Sequence, residues 1–417
     1  MSKLIIAGGQ PLRGKIKISG AKNASLAILC GAIMAEGEVI IENVPDISDV
    51  RIILEILGNM GVKIRWLADE VISLTSPQEI VGDPPYELVK QLRASNLLLG
   101  PMLARYGKAS VSLPGGCNIG VRPMDLHFKG LLALGAELNL ERGSIQGKTG
   151  RLCGNMIYLD FPSVGATENI MMAACLAEGQ TVIENAAKEP EIVDLANFLN
   201  ALGAKVRGAG TDLIKIEGVP VLKGGRYSVI PDRIEAGTFM VAAAATRGDV
   251  VLENVIPRHL EPLSAKLREA NVDVEIGEDT IHIKATNTSA KSIDIKTMPY
   301  PGFPTDMQSQ MMAFLSTVPG TSIIVENIFE NRFRVADELK RMGANIKVEG
   351  RMAVIEGVAS LQGAKVKATD LRAGAALVIA GLMAQGETEI GDVHYVDRGY
   401  THLEQKLAKL GASIRRA

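Results

Sequence analysis

Aromatic residues are scarce in this chain, 4% of 417 with a single Trp, so its core must be packed from Ala, Val, Ile, Leu and Met. Long apolar runs are missing as well. The apolar stretches reach only about 11 or 12 residues, where a bilayer span needs about 20. The opening MSKLIIAGGQ lacks the long apolar region and small-residue cleavage site of a secretory leader. A cytoplasmic chain with no membrane association is the expectation. Four scattered cysteines form no metal spacing, and five histidines include no close pair, so neither a metal nor any other cofactor is expected. A formal net charge of −2 argues against a nucleic-acid partner, which usually meets a basic surface. Walker loops, GxGxxG after a strand, HExxH and the Gly-x-Ser-x-Gly elbow are all absent.

What the chain does contain is a unit of about 70 residues that recurs six times. Each copy has a nearly all-apolar stretch, a Gly-containing turn and a β-type run. An amphipathic stretch and a Gly-x-x-[Val/Ile/Leu] strand follow. SLAILCGAIMAEGEVIIEN with PDISDVRIILEILGNMGVKI is one clear copy; QSQMMAFLSTVPGTSIIVEN with IFENRFRVADELKRMGANI is another. The copy TFMVAAAATRGDVVLEN reads as having a degenerate second half. One copy deviates: where four of the others carry Glu-Asn and the last carries Gly-Asp, NLLLGPMLARYGKASVSL runs on into PGGCNIGVRP, a glycine-rich loop holding a cysteine.

A helix apolar nearly all round is one buried on every side, and the charge-spaced second helix should face solvent. Gly at its end supplies a left-handed stop before a β-branched strand. Six copies divide into two lobes of three, each with helices inside and sheet outside. The fold class is therefore α/β, with two similar inside-out barrel lobes.

A buried helix keeps unsatisfied N–H groups and a partial positive charge at its N-terminus. Several copies place Lys or Arg there, against the macrodipole: Lys22, Arg93 and Arg372. A bound anion is one explanation for such cations. Arg122 and Arg398 are further candidates for the same anion site. Cys117, in its glycine-rich loop with Arg122 nearby, is either an incidental thiol or a reactive one. Cys30 and Cys175 lie inside apolar runs and read as core, while Cys153 is ambiguous. Asp306 follows Pro304-Thr305 and could simply cap a helix, or could serve as a general base. Glu191 and Asp194 read as first-turn helix acids and no more.

At this point the motifs resemble a known family from end to end. SGAKNA, LRAS, PGGCNIGVRPMDLH, PSVGATENIM, ENAAKEPEIVDL, PDRIEAGTF, FPTDMQ, ENIFENRF and VDRGY are similar to those of the UDP-N-acetylglucosamine enolpyruvyl transferases. The resemblance implies one lobe over 22–230 and a second over 1–21 plus 231–417. It implies transfer of the enolpyruvyl group of phosphoenolpyruvate to the 3′-hydroxyl of UDP-N-acetylglucosamine, by addition and elimination, as the first committed step of peptidoglycan synthesis. Cys117 would be the acid, on a loop resembling the family's lid and open to alkylation by fosfomycin. Asp306 would be the base. Lys22, Asn23, Arg122, Arg372 and Arg398 would hold phosphoenolpyruvate, with Asp370 supporting. Asn23, Arg93, Arg122, Pro123, Met124, Asp125, Leu126, Ser163, Val164, Gly165, Asp306 and Ile328 would hold the sugar nucleotide. The rivals are enolpyruvylshikimate-phosphate synthase and a non-catalytic sugar-nucleotide binder. The oligomeric state is left open.

Overall fold

The computed structural model describes residues 2–113, 119–120, 123–141, 143–286 and 289–417. Cys117 and Arg122 lie outside the described residues, and so do the readings placed on them. The chain forms two compact lobes. One runs from Gly20 to Ile230, apart from residues 119 and 120; the other comprises the chain up to Ser19, those two residues, and Pro231–Ala417.

The first lobe contains α1 (Lys22–Ala32), α2 (Ser48–Asn59), α3 (Tyr86–Val89), α4 (Leu99–Tyr106), α5 (Asp125–Ala133), α6 (Val164–Ala174) and α7 (Pro190–Ala201). A 3-10 turn, Arg93–Leu98, leads into α4. The second lobe contains α8 (Arg233–Ala245), α9 (Glu261–Glu269), α10 (Gln308–Leu315), α11 (Val335–Arg341), α12 (Leu371–Met383) and α13 (Leu403–Lys409). The 3-10 turn Thr305–Met307 precedes α10.

The nearly all-apolar stretches fold as expected. Every residue from Arg372 to Leu382 of α12 is buried, and so is every residue from Ala24 to Ala32 of α1. With no polar face to present to water, these helices can only be interior. α6 packs on α4, α5 and α7, and α12 packs on α8, α10 and α11. Each lobe has its own apolar core, drawn from Ala, Ile, Leu, Met and Val with few rings. Phe198 and Tyr227 make one of the few aromatic contacts, edge to face at 5.5 Å.

Sheets enclose these helices, three in each lobe. Five are four-stranded, and each pairs one parallel strand with an antiparallel set. Thus Met156–Tyr158 runs parallel to Gln180–Glu184, the two joined through α6, while Leu213–Glu217 lies antiparallel on the other side. The sixth sheet, Lys108–Ser112 with Ser144–Lys148 and Glu137–Glu141, has three strands and no parallel partner among the described residues. It belongs to the copy whose sequence deviates.

Two readings need correction. The second half of the α8 copy is not degenerate: Glu261–Glu269 forms a helix, because Pro262 sits in its first turn, where its missing N–H costs nothing. Glu191 and Asp194 are not merely first-turn acids of α7. Both are buried, and Asp194 accepts hydrogen bonds from Tyr227 Oη (2.6 Å) and Ile230 N (3.3 Å), tying α7 to the end of a strand. Cys30 and Cys175 are buried as expected, and Cys153 is exposed.

Gly20 opens the first lobe, two residues before Lys22. A Cβ there would sit 1.7 Å from the Asn43 carbonyl oxygen. Replacing Gly20 by Ala must push two backbone segments apart, so Gly20→Ala should destabilise the chain by about 2 kcal/mol, the usual scale of overpacking. Urea unfolding with an unchanged midpoint would show that this approach is slack.

Candidate active site

The buried helices of the second lobe bring a charged cluster to their first turns. Asp306 lies in the 3-10 turn before α10, and its carboxylate does not cap that helix. Oδ1 instead accepts from Arg332 Nη2 at 2.6 Å, and Oδ2 accepts from Arg372 Nη2 at 3.0 Å. Asp306 keeps 26% of its side-chain exposure, whereas Arg332 and Arg372 keep 2% and 5%. Burial alone would push the Asp306 carboxyl up. Arg372 and Arg332, with Arg233 beyond them, outweigh it and hold the group well below the usual carboxylate range. The capping alternative is thereby removed, because both oxygens face guanidinium groups.

Each arginine is held from more than one side. Arg332 lies over the Phe329 ring, 5.6 Å from its centroid, and its Nε is buried with no acceptor among the described residues. Arg372 follows Asp370, whose Oδ1 caps α12 by accepting from the backbone N–H of Arg372 (2.9 Å) and Ala373 (3.0 Å). Arg372 Nη1 also donates to Tyr400 Oη at 3.3 Å. Tyr400 Oη lies 2.8 Å from Thr238 Oγ1, and Gln310 Nε2 donates to both Thr238 Oγ1 (3.2 Å) and the Asp306 carbonyl (2.9 Å). Arg398, half-buried, ends the 3-10 turn Val393–Arg398, two residues before Tyr400.

Glu326 fixes the backbone beside this cluster. It is fully buried and accepts from Thr305 Oγ1, Thr297 Oγ1 and the backbone N–H groups of Ile328 and Phe329, all between 2.8 and 3.1 Å. The turn bearing Asp306 and the turn bearing Ile328 are thus pinned by one carboxylate.

The first lobe carries a second set. Lys22 is the first residue of α1 and is nearly buried, with Nζ 2.7 Å from Asp49 Oδ2 at the start of α2. Asn23 beside it is exposed. Arg93 opens the 3-10 turn before α4 and is half-buried. Pro123 and Asp125 are exposed, Met124 is buried and Leu126 half-buried at the start of α5. Ser163 caps α6, its side chain accepting from Ala166 N at 3.4 Å, and the half-buried Val164 and Gly165 form the first turn. His127 joins these pieces: Gly165 lies against its ring, Asn169 of α6 hydrogen-bonds it, and Arg93 acts on its charge.

Cations at helix starts therefore have an explanation besides a bound anion. Lys22 is matched by Asp49 and Arg372 by Asp306, so an anionic ligand would compete with carboxylates already in place. Sequence reasoning missed Arg332, Asp49, Tyr400 and His127. Arg332 stood inside ENIFENRF and His127 inside the Cys-loop motif, but only tertiary packing gives them partners. Among the described residues no group of His, Cys, Asp and Glu could hold a metal, and no helix is long and apolar enough to cross a membrane.

Residues 6–407 match the family model of EPSP synthase (3-phosphoshikimate 1-carboxyvinyltransferase). UDP-N-acetylglucosamine 1-carboxyvinyltransferase 2 of Carboxydothermus hydrogenoformans is 58% identical over 417 residues, covering 100% of this chain and 99% of that one. UDP-N-acetylglucosamine 1-carboxyvinyltransferase 1 of Caldanaerobacter subterraneus subsp. tengcongensis is 55% identical over 415 residues, with 100% and 99% covered. Among solved structures, the enolpyruvyl transferase NikO from Streptomyces tendae superposes with a TM-score of 0.90 at 26% identity, covering 100% of this chain and 99% of that one. EPSP synthase from Acinetobacter baumannii, at 21% identity, TM-score 0.78 and full coverage of both chains, shares the fold.

The Asp306 cluster has a measurable pH signature. A carboxyl depressed by folding contributes stability above its unfolded pKa, near 4, and loses it as pH falls toward the folded value. Arg332→Met should lower stability by about 2 kcal/mol at neutral pH, below the full cost of breaking a buried pair because Arg372 remains. The gap to the parent chain should narrow below about pH 4. A gap in denaturant-measured stability that stays constant from pH 7 to 3 would mean that Arg332 acts by packing alone.

Proposed function

Since the chain belongs to the UDP-N-acetylglucosamine 1-carboxyvinyltransferase family, within the wider EPSP synthase family, we propose that it joins phosphoenolpyruvate to UDP-N-acetylglucosamine. The enolpyruvyl group goes to the sugar 3′-hydroxyl and phosphate is released. The observation that carries this reading is the end-to-end identity, 55% and 58%, with proteins named as UDP-N-acetylglucosamine 1-carboxyvinyltransferases. The site residues give the reaction a chemical route.

In the addition step the 3′-oxygen bonds to the central carbon of phosphoenolpyruvate while the methylene carbon gains a proton. Asp306 accepts the hydroxyl proton and Cys117 supplies the other. In the elimination step the methyl carbon returns a proton, the carbon–carbon double bond reforms, and the bond to the phosphate oxygen breaks. Phosphoenolpyruvate is a dense anion, and Lys22, Arg122, Arg372 and Arg398 are its counter-charges, with Asn23 beside Lys22.

Asp306 is a weak base while two guanidinium groups grip it. An anionic substrate that draws Arg372 away would return basicity to the carboxylate, so the base is switched on by the substrate it serves. Asp370 supports Arg372 by capping α12 at its backbone N–H. The sugar nucleotide takes Asn23, Arg93, Arg122, the Pro123–Leu126 stretch, Ser163-Val164-Gly165, Asp306 and Ile328. Closure of the Cys117 loop over it would exclude water. The product would enter peptidoglycan synthesis in the cytoplasm, and fosfomycin would alkylate Cys117.

Phosphate release from phosphoenolpyruvate, measured with UDP-N-acetylglucosamine and with shikimate 3-phosphate separately, tests the reading. Release with the sugar nucleotide alone is expected. Release with shikimate 3-phosphate, or tight sugar-nucleotide binding without turnover, would overturn it. Cys117→Ser should nearly abolish turnover while sugar-nucleotide binding persists. Asp306→Asn should slow the rate by more than about 100-fold; near-parental turnover in either variant removes that residue from its role.

A further inference from the structure

One buried ring in the first lobe has its protonation decided by packing. His127, in the first turn of α5, is 4% exposed, and its Nδ1 lies 3.1 Å from Asn169 Nδ2. The orientation of the Asn169 amide follows from its other neighbours. Its Oδ1 accepts from the backbone N–H of Gly100 at 2.6 Å, a group that can only donate, so the opposite end of the amide is the NH2. That NH2 donates to the Asn96 carbonyl at 2.9 Å and points its second hydrogen at His127. Two donors cannot face one another, so Nδ1 must be the lone-pair nitrogen. Burial, then the charge of Arg93, pulls the imidazolium pKa down to about 4 and keeps the ring neutral at pH 7. The proton therefore resides on Nε2.

The Cε1–Nε2 edge of the ring faces the first turn of α6. A Cβ on Gly165 would come within 3.1 Å of Cε1 and 3.3 Å of Nε2, so glycine is what lets this edge approach. No described residue accepts a hydrogen bond from Nε2. The donor is thus aimed at the ground between two stretches already assigned to the sugar nucleotide, one ending at Leu126 and the other at Gly165.

We propose that Asn169 locks His127 in its Nε2–H tautomer, and that this N–H donates to an oxygen of the bound sugar nucleotide beside Gly165. The proposal rests on the functional reading given above. His127 touches the ligand and Asn169 is a positioning residue. Asn169 also ties the 3-10 turn and α4 to α6, through Asn96 and Gly100, so the packing that assembles this part of the lobe also sets the proton.

Nitrogen-15 spectra of the full chain with labelled histidine, read beside steady-state kinetics, test both halves. The His127 signals, assigned by their loss in His127→Gln, should show a protonated Nε2 and an unprotonated Nδ1 at pH 7. His127→Phe should raise KM for UDP-N-acetylglucosamine by about tenfold, the scale of one hydrogen bond, and leave KM for phosphoenolpyruvate unchanged. His127→Gln, whose amide can still donate from nearly the same place, should recover most of the loss. Asn169→Asp keeps the acceptor for Gly100 but draws the proton to Nδ1, and should show the same KM rise together with that altered spectrum. A parental spectrum with the proton on Nδ1 overturns the tautomer. Unchanged sugar-nucleotide KM in all three variants overturns the ligand contact. A parental chain that turns over no UDP-N-acetylglucosamine overturns the functional reading itself, and with it the ligand named here.

Discussion

A helix buried on every side leaves its unpaired backbone groups and its charge at its ends, and both lobes are organised by that constraint. The sheets cover the flanks of α1, α4 and α6 in one lobe and of α8, α10 and α12 in the other. Their first turns are left as the places where charge can gather. Lys22, Arg93 and Gly165 stand at the starts in the first lobe, and Arg233, Asp306 and Arg372 at those in the second. Polar residues placed further along such a helix need buried partners of their own, as Asn169 has in Asn96, Gly100 and His127.

Concentrating charge in this way creates a problem of compensation, and each lobe meets it with carboxylates. Asp49 faces Lys22, Asp306 faces both Arg332 and Arg372, and in the second lobe buried Glu235 meets Lys406 at 2.5 Å. Such pairs add little net stability, because desolvation offsets most of their attraction, yet they hold side chains in one geometry. For a site that must receive an anion the consequence is specific. The cations are already paired with carboxylates, so under the proposed function an anionic ligand would have to compete with a carboxylate rather than fill a void. Asp306 is where that competition would have chemical meaning under the proposed function, since the group released from an arginine would be the one proposed to take a proton.

Much of the scaffold could be read before any coordinates. The alternation of all-apolar and amphipathic stretches called for inner and outer helices, and the copy deviant in sequence is the one with the three-stranded sheet among the described residues. Readings of single side chains fared less evenly. The capping role weighed for Asp306 rested on Pro304 and Thr305 next to it. The carboxylate in fact binds residues 26 and 66 positions away, and Thr305 turns to Glu326. Asp194 read as a first-turn helix acid from its neighbours in EPEIVD; Tyr227 and Ile230, more than 30 positions on, bond it inside the lobe.

By itself the sequence determined the helices, the strands, the repeat and the motifs that declare the family. All of these are written in short-range periodicity or in contiguous residues, where a chain neighbour is also a spatial neighbour. The tertiary structure alone decided which carboxylate answers which cation, that Asp306 sits between two arginines, and where the proton on His127 resides. Those outcomes depend on distances between residues far apart in the chain, and electrostatic and hydrogen-bond energies depend steeply on such distances once water is excluded.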